Sequence, residues 1–600
     1  MNAKGKYEKL KKENWFYCSE AGRWTTALLV SGAILVTVFL LIHPVFMTID
    51  DARLKYVYAG YSTGEPVDTY LFCYFPLSWL LSTLYTWLPA VPWYALYQFG
   101  IIGLSSAVIG KTVYKIFYRK KFRFFSAVLC HAVLYLSLAL ISTILMHFEI
   151  TAAMAGTAGV VLLLGIDFQK DSGRTRLLDF SFSVLSIAAC FTIQFNAFYS
   201  ACCYLLVALV VAVLNALKNK TLKRTALQLA CYLLCLAVAV AAVKVSDSME
   251  KDSEEWQEYL AYNKYRVSFW DYPHTTYEED PELFEEMGWT QEFYNLTQSM
   301  YFMDERFDKE NLERFTQRFS WFDFEEPDKM LSTMVSTLGG LFRTERLVIV
   351  QTGFAVFLLV ALLIIAASNK KWREYYPQMI GMLCCLGGTV LLTLYLASRG
   401  RLPLRAWLAV SIPCIAVTAL LLVMTVEKPH GRGMRPKILR ACVSTFTLLV
   451  WLAGMLWAYQ EITGEDWLWR MQRNGTTMLM EDYAAQHPEN IYVYDLMGAQ
   501  NYSVFSAYPD SENRPSNAFV WGSSYIFTPA YQDQLENNGI DRLLTEDLFD
   551  ENIYFIAHIS GIYSNQLYEM LSKEYGPMCM EPVDNIADEF IVYEIYKVTE

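Results

Sequence analysis

"LSWLLSTLYTWL", residues 77–88, is the apolar stretch whose placement settles the topology of the chain. Bracketed by Pro76 and Pro89, it makes a helix only about 18 Å long, short of the roughly 30 Å hydrocarbon core of a bilayer. If it crossed together with the apolar stretch at 91–110, the segment "KTVYKIFYRKKFR" at 111–123, with its six cations, would end on the outer face and every later loop would invert. Leu77, Leu81, Leu84 and Leu88 recur on one helical face, and Ser78, Ser82 and Thr86 on another. That pattern predicts an interfacial helix lying on the outer surface, with the second span at 91–110.

Outward from this helix the chain has the composition of a multispan membrane protein. Of its 600 residues 54% are hydrophobic and 15% aromatic, and the apolar ones cluster in blocks of about 20. The N-terminal "MNAKGKYEKLKKENWFYCSEAGRW" is basic and lacks a small-residue cleavage site, so the apolar run at 25–47 reads as a retained span entered from the cytoplasm. The run at 124–166 is two spans broken at "HFE" (147–149), and that at 177–217 is two spans turning at "QFN" (194–196). Further spans fall at 225–244 and 346–367, as a hairpin at 376–426 turning at "SRGRLPLR", and at 439–460. The expectation is an α-helical polytopic protein with about eleven transmembrane helices.

The net charge of −12 is unevenly spread. More than half of the 49 basic residues lie in short loops, whereas most of the 61 acids lie in two long polar stretches, 244–346 and 461–600. Basic loops stay inside, which puts both acidic regions and the C-terminus outside and the N-terminus in the cytoplasm. An acidic exterior excludes nucleic acid as a partner. Most of the thirteen Cys fall in apolar runs, so neither a disulfide framework nor a CxxC metal pattern is available outside the membrane.

Four regions follow: an N-terminal membrane module, 1–243, whose first outer loop is 48–90; an outer helical loop, 244–345; C-terminal membrane helices, 346–460; and an outer α/β domain, 461–600. Thr290 is a candidate N-cap in the helical loop and Gly339-Gly340 a candidate helix stop. In the last region "NIYVYDL", "NIYFIAH" and "EFIVYEIYKV" alternate as strands do, separated by the helical "YQDQLENNG" and "SNQLYEMLSKEYG".

"TIDDARLKYVYAGYSTGEP", 48–66, sets two adjacent acids, Asp50 and Asp51, down where the first span ends. A first span, a carboxylate pair at its outer end, a short amphipathic helix opening Pro-Leu, and a second span into a basic loop together resemble the start of the GT-C superfamily of membrane glycosyltransferases. The layout is similar to that of protein O-mannosyltransferases and lipid A aminoarabinose transferases. The motif covers 48–93, and the charged residues usual before the Pro-Leu helix are replaced here by Tyr74 and Phe75. The resemblance implies a plasma-membrane enzyme of bacterial type. It would transfer a sugar, with inversion, from a polyprenyl-phosphate carrier in the membrane lipid to an extracytoplasmic acceptor: a cell-envelope glycan, a lipid or a protein.

Such chemistry needs a base near the acceptor hydroxyl and cations near the leaving phosphate. Asp50 matches the first acid of the family pair and takes the base or acceptor-orienting role. Asp51 assists it, joins it in holding a divalent cation (Mg or Mn) if one is used, or caps a helix at 52–59 that Gly60 closes. Glu149 in "HFEIT" is a second loop acid delivered to the same surface, and His147 beside it is a candidate phosphate contact or a neutral, structural histidine. Arg399, Arg401 and Arg405 in "SRGRLPLRAW" stand against the positive-inside bias, so they require an anion, for which the phosphate or pyrophosphate of a lipid carrier suits; anchoring to ordinary lipid headgroups is the alternative. Arg53, one turn beyond the acids, is expected to pair with Asp50 or to contact phosphate.

Neither HExxH, a Walker loop nor GxSxG occurs. Two other classes compete. A transporter or flippase of lipid-linked glycans would bury charges mid-span, where this sequence has almost none, and a non-catalytic assembly protein would work through its outer domains.

Overall fold

The structure, a computed structural model, describes residues 15–61, 63–318, 327–369, 372–426, 434–464, 468, 476–495, 503–505 and 517–598. The N-terminal half runs through α1 (Glu20–Leu41), α2 (Ile49–Ala59), α3 (Phe75–Trp87), α4 (Trp93–Arg119), α5 (Phe124–Leu138), α6 (Phe148–Leu164), α7 (Gly173–Ile193), α8 (Phe195–Lys218) and α9 (Leu222–Glu250). There follow α10 (Glu254–Trp270), α11 (Pro327–Thr344), α12 (Arg346–Asn369), α13 (Trp372–Ser398), α14 (Leu404–Thr425) and α15 (Met434–Ile462). Among the described residues eight helices are long and apolar enough to cross a membrane: α1, α4, α7, α8, α9 and the helices at Arg346–Ile365, Arg373–Ser398 and Leu404–Thr425. The shorter apolar α5 and α6, and α15, occupy the places where the sequence puts the remaining three spans.

The breaks are chemical. Gln194 has extended backbone between α7 and α8, and its side chain accepts from Asn196 N. Ser172 and Ser19 cap α7 and α1 by accepting from Thr175 N and Gly22 N. At the centre lies α6, with all of Ile150 through Leu164 buried. A Cβ on Gly159 would stand 2.9 Å from the backbone oxygen of Ser183, so only glycine permits α7 to pack this closely.

The face of α3 turned to the protein carries Ser78, Leu81, Ser82 and Tyr85, with Ser78 Oγ meeting Tyr58 OH at 2.9 Å, while Trp79, Leu80, Trp87 and Leu88 stand exposed. Two expectations are corrected. The spans are not free of internal charge: Lys111 and Lys115 on α4 are buried, with Lys111 paired to Asp179 and to Glu20 (2.7 Å) and Lys115 to Asp179 (2.7 Å) and Asp171 (2.8 Å). Each buried cation is thereby matched. Gly339 and Gly340 do not stop a helix, since α11 runs through both to Thr344.

The part of the chain after α9 is helical, with Ser253 capping α10 and Thr290 capping Gln291–Thr297. The C-terminal region contains α16 (Thr476–Gln486), α17 (Pro529–Asn537) and α18 (Ile562–Tyr575) around a five-stranded sheet. With β1 (Val45–Phe46) and β2 (Leu145–Met146) lying earlier in the chain, its strands are β3 (Ile491–Tyr494), β4 (Ala518–Val520), β5 (Ile553–His558), β6 (Met578–Ile586) and β7 (Phe590–Lys597). Their order is β4-β3-β5-β7-β6; β3 is parallel to β4 and β5, and β7 antiparallel to β5 and β6. The helical region after α9 joins the C-terminal region through Phe302 N to Trp521 O (3.0 Å), just past β4, and through the ion pair of Arg306 with Glu574 on α18 (2.7 Å).

Candidate active site

Two short loops meet first. Val45 and Phe46 pair in parallel with Leu145 and Met146, and Met47 N donates to Met146 O at 2.8 Å. This two-residue sheet brings the end of α1 beside the start of α6. The chain then enters α2 after Thr48, so that Asp50 and Asp51 share its first turn, and Gly60 closes the helix in the left-handed conformation at φ 80°. Adjacent positions on a helix point about 100° apart, and the two acids diverge accordingly.

Asp51 turns inward and is fully buried. Its Oδ1 accepts from Tyr94 OH (2.9 Å), Gln98 Nε2 (3.0 Å) and Phe148 N (3.1 Å), and Gln98 is itself fixed by Thr151 Oγ1 (2.9 Å). Asp51 therefore does not cap its own helix, which has no side-chain cap. It supplies an acceptor to the first turn of α6 and ties α2 to α4. Next to it, His147 Nδ1 accepts from Glu149 N at 3.0 Å, which puts the ring proton on Nε2, 3.8 Å from Asp51 Oδ2. Burial pushes the Asp51 carboxyl up to about 8, against the three donors that favour its charge. Burial, and then the charge of Arg405, holds His147 well below its usual value, hence neutral.

Asp50, half-buried, turns to the other side. Burial raises its carboxyl above the usual range, while the charge of Arg405, then those of Arg266 and Arg401, oppose the rise, and Asp271 adds to it. Glu149 Oε2 lies 3.6 Å from Arg405 Nε, and Arg401 Nη1 lies 3.0 Å from Asp271 Oδ2. Thus Asp50, Glu149, Arg401 and Arg405, from three separate loops, converge at one end of the helix bundle. The two arginines that the sequence leaves in need of an anion each have a carboxylate from the protein itself. Two candidates make other contacts. Arg399 sits over the Tyr395 ring at 5.1 Å. Arg53 does not pair with Asp50: its guanidinium stacks on Tyr525 at 4.0 Å and donates to Tyr494 OH at 3.4 Å.

Arg53 belongs to a second set of contacts in which the C-terminal region holds α2. Tyr56 OH donates to Glu481 Oε2 (2.9 Å), Lys55 Nζ to Ser503 O (3.3 Å), and Asn537 Nδ2 to Thr63 O (2.9 Å). Val45 also bridges to Ser503. Burial pushes Glu481 up to about 8 and Lys55 down to about 7.

Asp51 Oδ1 is already occupied by three donors, so Asp51 Oδ2 and the Asp50 carboxyl are the oxygens that would meet a divalent cation.

Sequence reasoning missed four residues of this end of the bundle. Tyr94 and Gln98, one turn apart near the start of α4, carry a polar pair into an apolar span, which is a signal of an internal partner. Arg266, buried and held by Asn263 Oδ1 at 2.9 and 2.7 Å, and Asp271 lie in a region that alignment of charges along α10 does not distinguish from a solvated helix.

Fold and site together define a polytopic α-helical protein with helices of membrane-spanning length, a C-terminal α/β region, and a carboxylate–arginine cluster at one end of the bundle. No protein-family model and no curated protein matches the chain. Among solved structures it is similar to ArnT from Cupriavidus metallidurans bound to undecaprenyl phosphate, at 12% identity over 94% of this chain and 97% of that one, with a TM-score of 0.36. It is similar also to the apo state of the same ArnT, at 13% identity over 96% and 98% of the two chains, with a TM-score of 0.38. These are loose likenesses, and the functional reading rests on the residues of this chain.

Proposed function

We propose that the protein is a membrane glycosyltransferase of GT-C type, taking its sugar from a polyprenyl-phosphate carrier and passing it to a hydroxyl on the outer face. The observation that carries this reading is the pair of arginines from one loop, Arg405 held by Glu149 at 3.6 Å and Arg401 by Asp271 at 3.0 Å, whose charges act on Asp50. The orientation follows from the basic loops at the opposite end of the spans, which stay inside.

In the proposed reaction Asp50, ionised, takes the proton of the acceptor hydroxyl while its oxygen attacks the anomeric carbon. The bond from that carbon to the phosphate oxygen breaks, and the electron pair leaves with the polyprenyl phosphate. Arg405 and Arg401 meet the charge gained there. Glu149, 3.6 Å from Arg405 Nε, aims the guanidinium, and Asp51 holds the first turn of α2 through its donors on α4 and α6. Attack opposite the leaving group inverts the anomeric configuration.

The test is release of free polyprenyl phosphate from a panel of polyprenyl-phosphate hexoses and pentoses in proteoliposomes supplied with envelope extract as acceptor. Wild type turns over at least one donor, and Asp50→Asn, with its melting temperature retained, does not. Transfer by Asp50→Asn at the wild-type rate overturns the assignment. Movement of the intact lipid-linked sugar across the bilayer without its cleavage establishes a flippase instead.

A further inference from the structure

At the other end of the bundle from Asp50, α7 and α9 enclose a groove of about 630 Å³, lined by residues from Gly173 to Leu185 on one side and Leu227 to Cys235 on the other. We propose that this groove binds one anionic phospholipid of the leaflet at the basic end of the helices, with an acyl chain along the groove and the headgroup phosphate at its mouth.

The dimensions suit a single leaflet. The groove opens at the first residue of α7 and runs for about 18 Å of helix, close to the roughly 15 Å that half a hydrocarbon core provides. Its floor is apolar and internally settled: the Phe180 and Tyr232 rings lie 5.4 Å apart, and Tyr232 OH is engaged by Ser183 Oγ at 2.9 Å, which leaves the ring to face the groove. Leu177 and Leu227 stand exposed along the rim. One polar atom is out of keeping with this lining. Gln228 Oε1 is buried without a hydrogen-bond partner among the described residues, a state that an uncovered amide oxygen in hydrocarbon does not hold cheaply.

The mouth is positively charged. Arg176 lines it, only 9% exposed, with Nη1 bonded to Phe168 O at 2.7 Å. Lys223 and Arg224, both exposed, lie four residues before Leu227 and Gln228 and so on the same faces of α9, one turn nearer the end. The nearby acids do not cancel this charge, because Asp171 and Asp179 are held by Lys115, Lys111 and Arg119. Cations ringing the open end of an apolar slot select a lipid whose headgroup carries net negative charge.

The experiment uses the full chain in nanodiscs of equimolar phosphatidylglycerol and phosphatidylcholine, with the lipid that stays bound after detergent release counted by native mass spectrometry. One phosphatidylglycerol per chain is expected to remain, in preference to phosphatidylcholine. Lys223→Gln and Arg224→Gln should each lower that preference about fivefold, as loss of about 1 kcal/mol per cation implies. Ser181→Trp, which fills the groove from an exposed lining position, should abolish retention. Equal retention of the two lipids, or unchanged retention in Ser181→Trp, overturns the proposal. If Ser181→Trp does not fold, the two exposed charge variants decide: an unaltered preference in both overturns it.

Discussion

His147 Nε2 faces Asp51 Oδ2 across 3.8 Å, and neither atom has a hydrogen-bond partner among the described residues, while the other carboxylate oxygen of Asp51 accepts three bonds. The carboxyl is thus built asymmetrically, one oxygen joining α2, α4 and α6 and the other directed at a neutral imidazole. Asp51→Ala strands Tyr94 OH, Gln98 Nε2 and Phe148 N in a buried place. At about 1–3 kcal/mol for each orphaned group, it should sharply lower the melting temperature in detergent. Asp51→Asn keeps an acceptor for those donors and should recover most of the loss. Equal melting temperatures for Asp51→Ala and wild type would show that the three bonds do not hold the loops together.

Removing the cation opposite Asp50 should act on turnover. In the proposed reaction Arg405→Gln deletes the charge that offsets the negative charge developing on the leaving phosphate, and a drop in kcat of about 10²-fold is expected, the scale seen when one such donor is lost. Arg405→Lys should recover part of it, since it restores the charge without the fork. A change in KM with kcat intact would reassign Arg405 to ground-state binding.

The pH profile carries the sign of the Asp50 shift. A base works ionised, so the rate should climb with pH through an apparent value above the ordinary carboxylate near 4, because burial raises Asp50. Arg405 opposes that rise, so residual activity in Arg405→Gln should need a still higher pH. A limb that stays in place in the variant would break the link between the two residues.

The amino-acid sequence discloses the membrane helices well and the site in part, for physical reasons that differ. Gln194, Gly60 and the "HFE" break act through local backbone chemistry, so the ends they set are legible from one dimension. Asp50 and Glu149 can be picked out as acids delivered by short loops to one surface, and Arg401 and Arg405 because they stand against the positive-inside bias. The partner of Arg53 could not be read, since Tyr494 and Tyr525 lie more than 400 residues away and nothing in a tyrosine marks it as a platform for a cation. The β1–β2 pairing was also hidden, because two residues per strand leave no periodicity to detect.

The hold of the C-terminal region on α2 should depend on pH. Glu481, raised to about 8, binds its proton more tightly folded than unfolded, so the stability it contributes is full at acid pH and is lost as pH rises from about 4 towards 8. Lys55, lowered to about 7, acts in the opposite sense: its contribution is present above about 10 and is lost as pH falls towards 7. Glu481→Gln keeps an acceptor for Tyr56 OH and removes the carboxyl titration. Its melting temperature should match wild type near pH 5 and exceed it at pH 8.5, and a constant difference across that range would remove Glu481 as the cause.

Gly522 tests whether the outer helical region and the C-terminal sheet work as one body. A Cβ built on it would lie 1.4 Å from the Met300 carbonyl oxygen, and the obstacle is backbone, which cannot swing aside as a side chain can. The same place carries the bond from Phe302 N to Trp521 O at 3.0 Å and the Tyr301–Trp521 ring contact at 5.3 Å between centroids. Gly522→Ala must therefore separate segment 300–302 from the end of β4, with the loss of that bond and of close packing, a destabilisation of about 1–3 kcal/mol on the scale of overpacking. Because α10 supplies Arg266 and leads to Asp271 beside Asp50, the separation should also lower transfer, whereas the helices of membrane-spanning length remain intact. Limited proteolysis reads the first effect as new cleavage between 300 and 318, and the donor-release assay reads the second. Wild-type resistance to protease together with wild-type turnover in Gly522→Ala would show that the two regions do not depend on this contact.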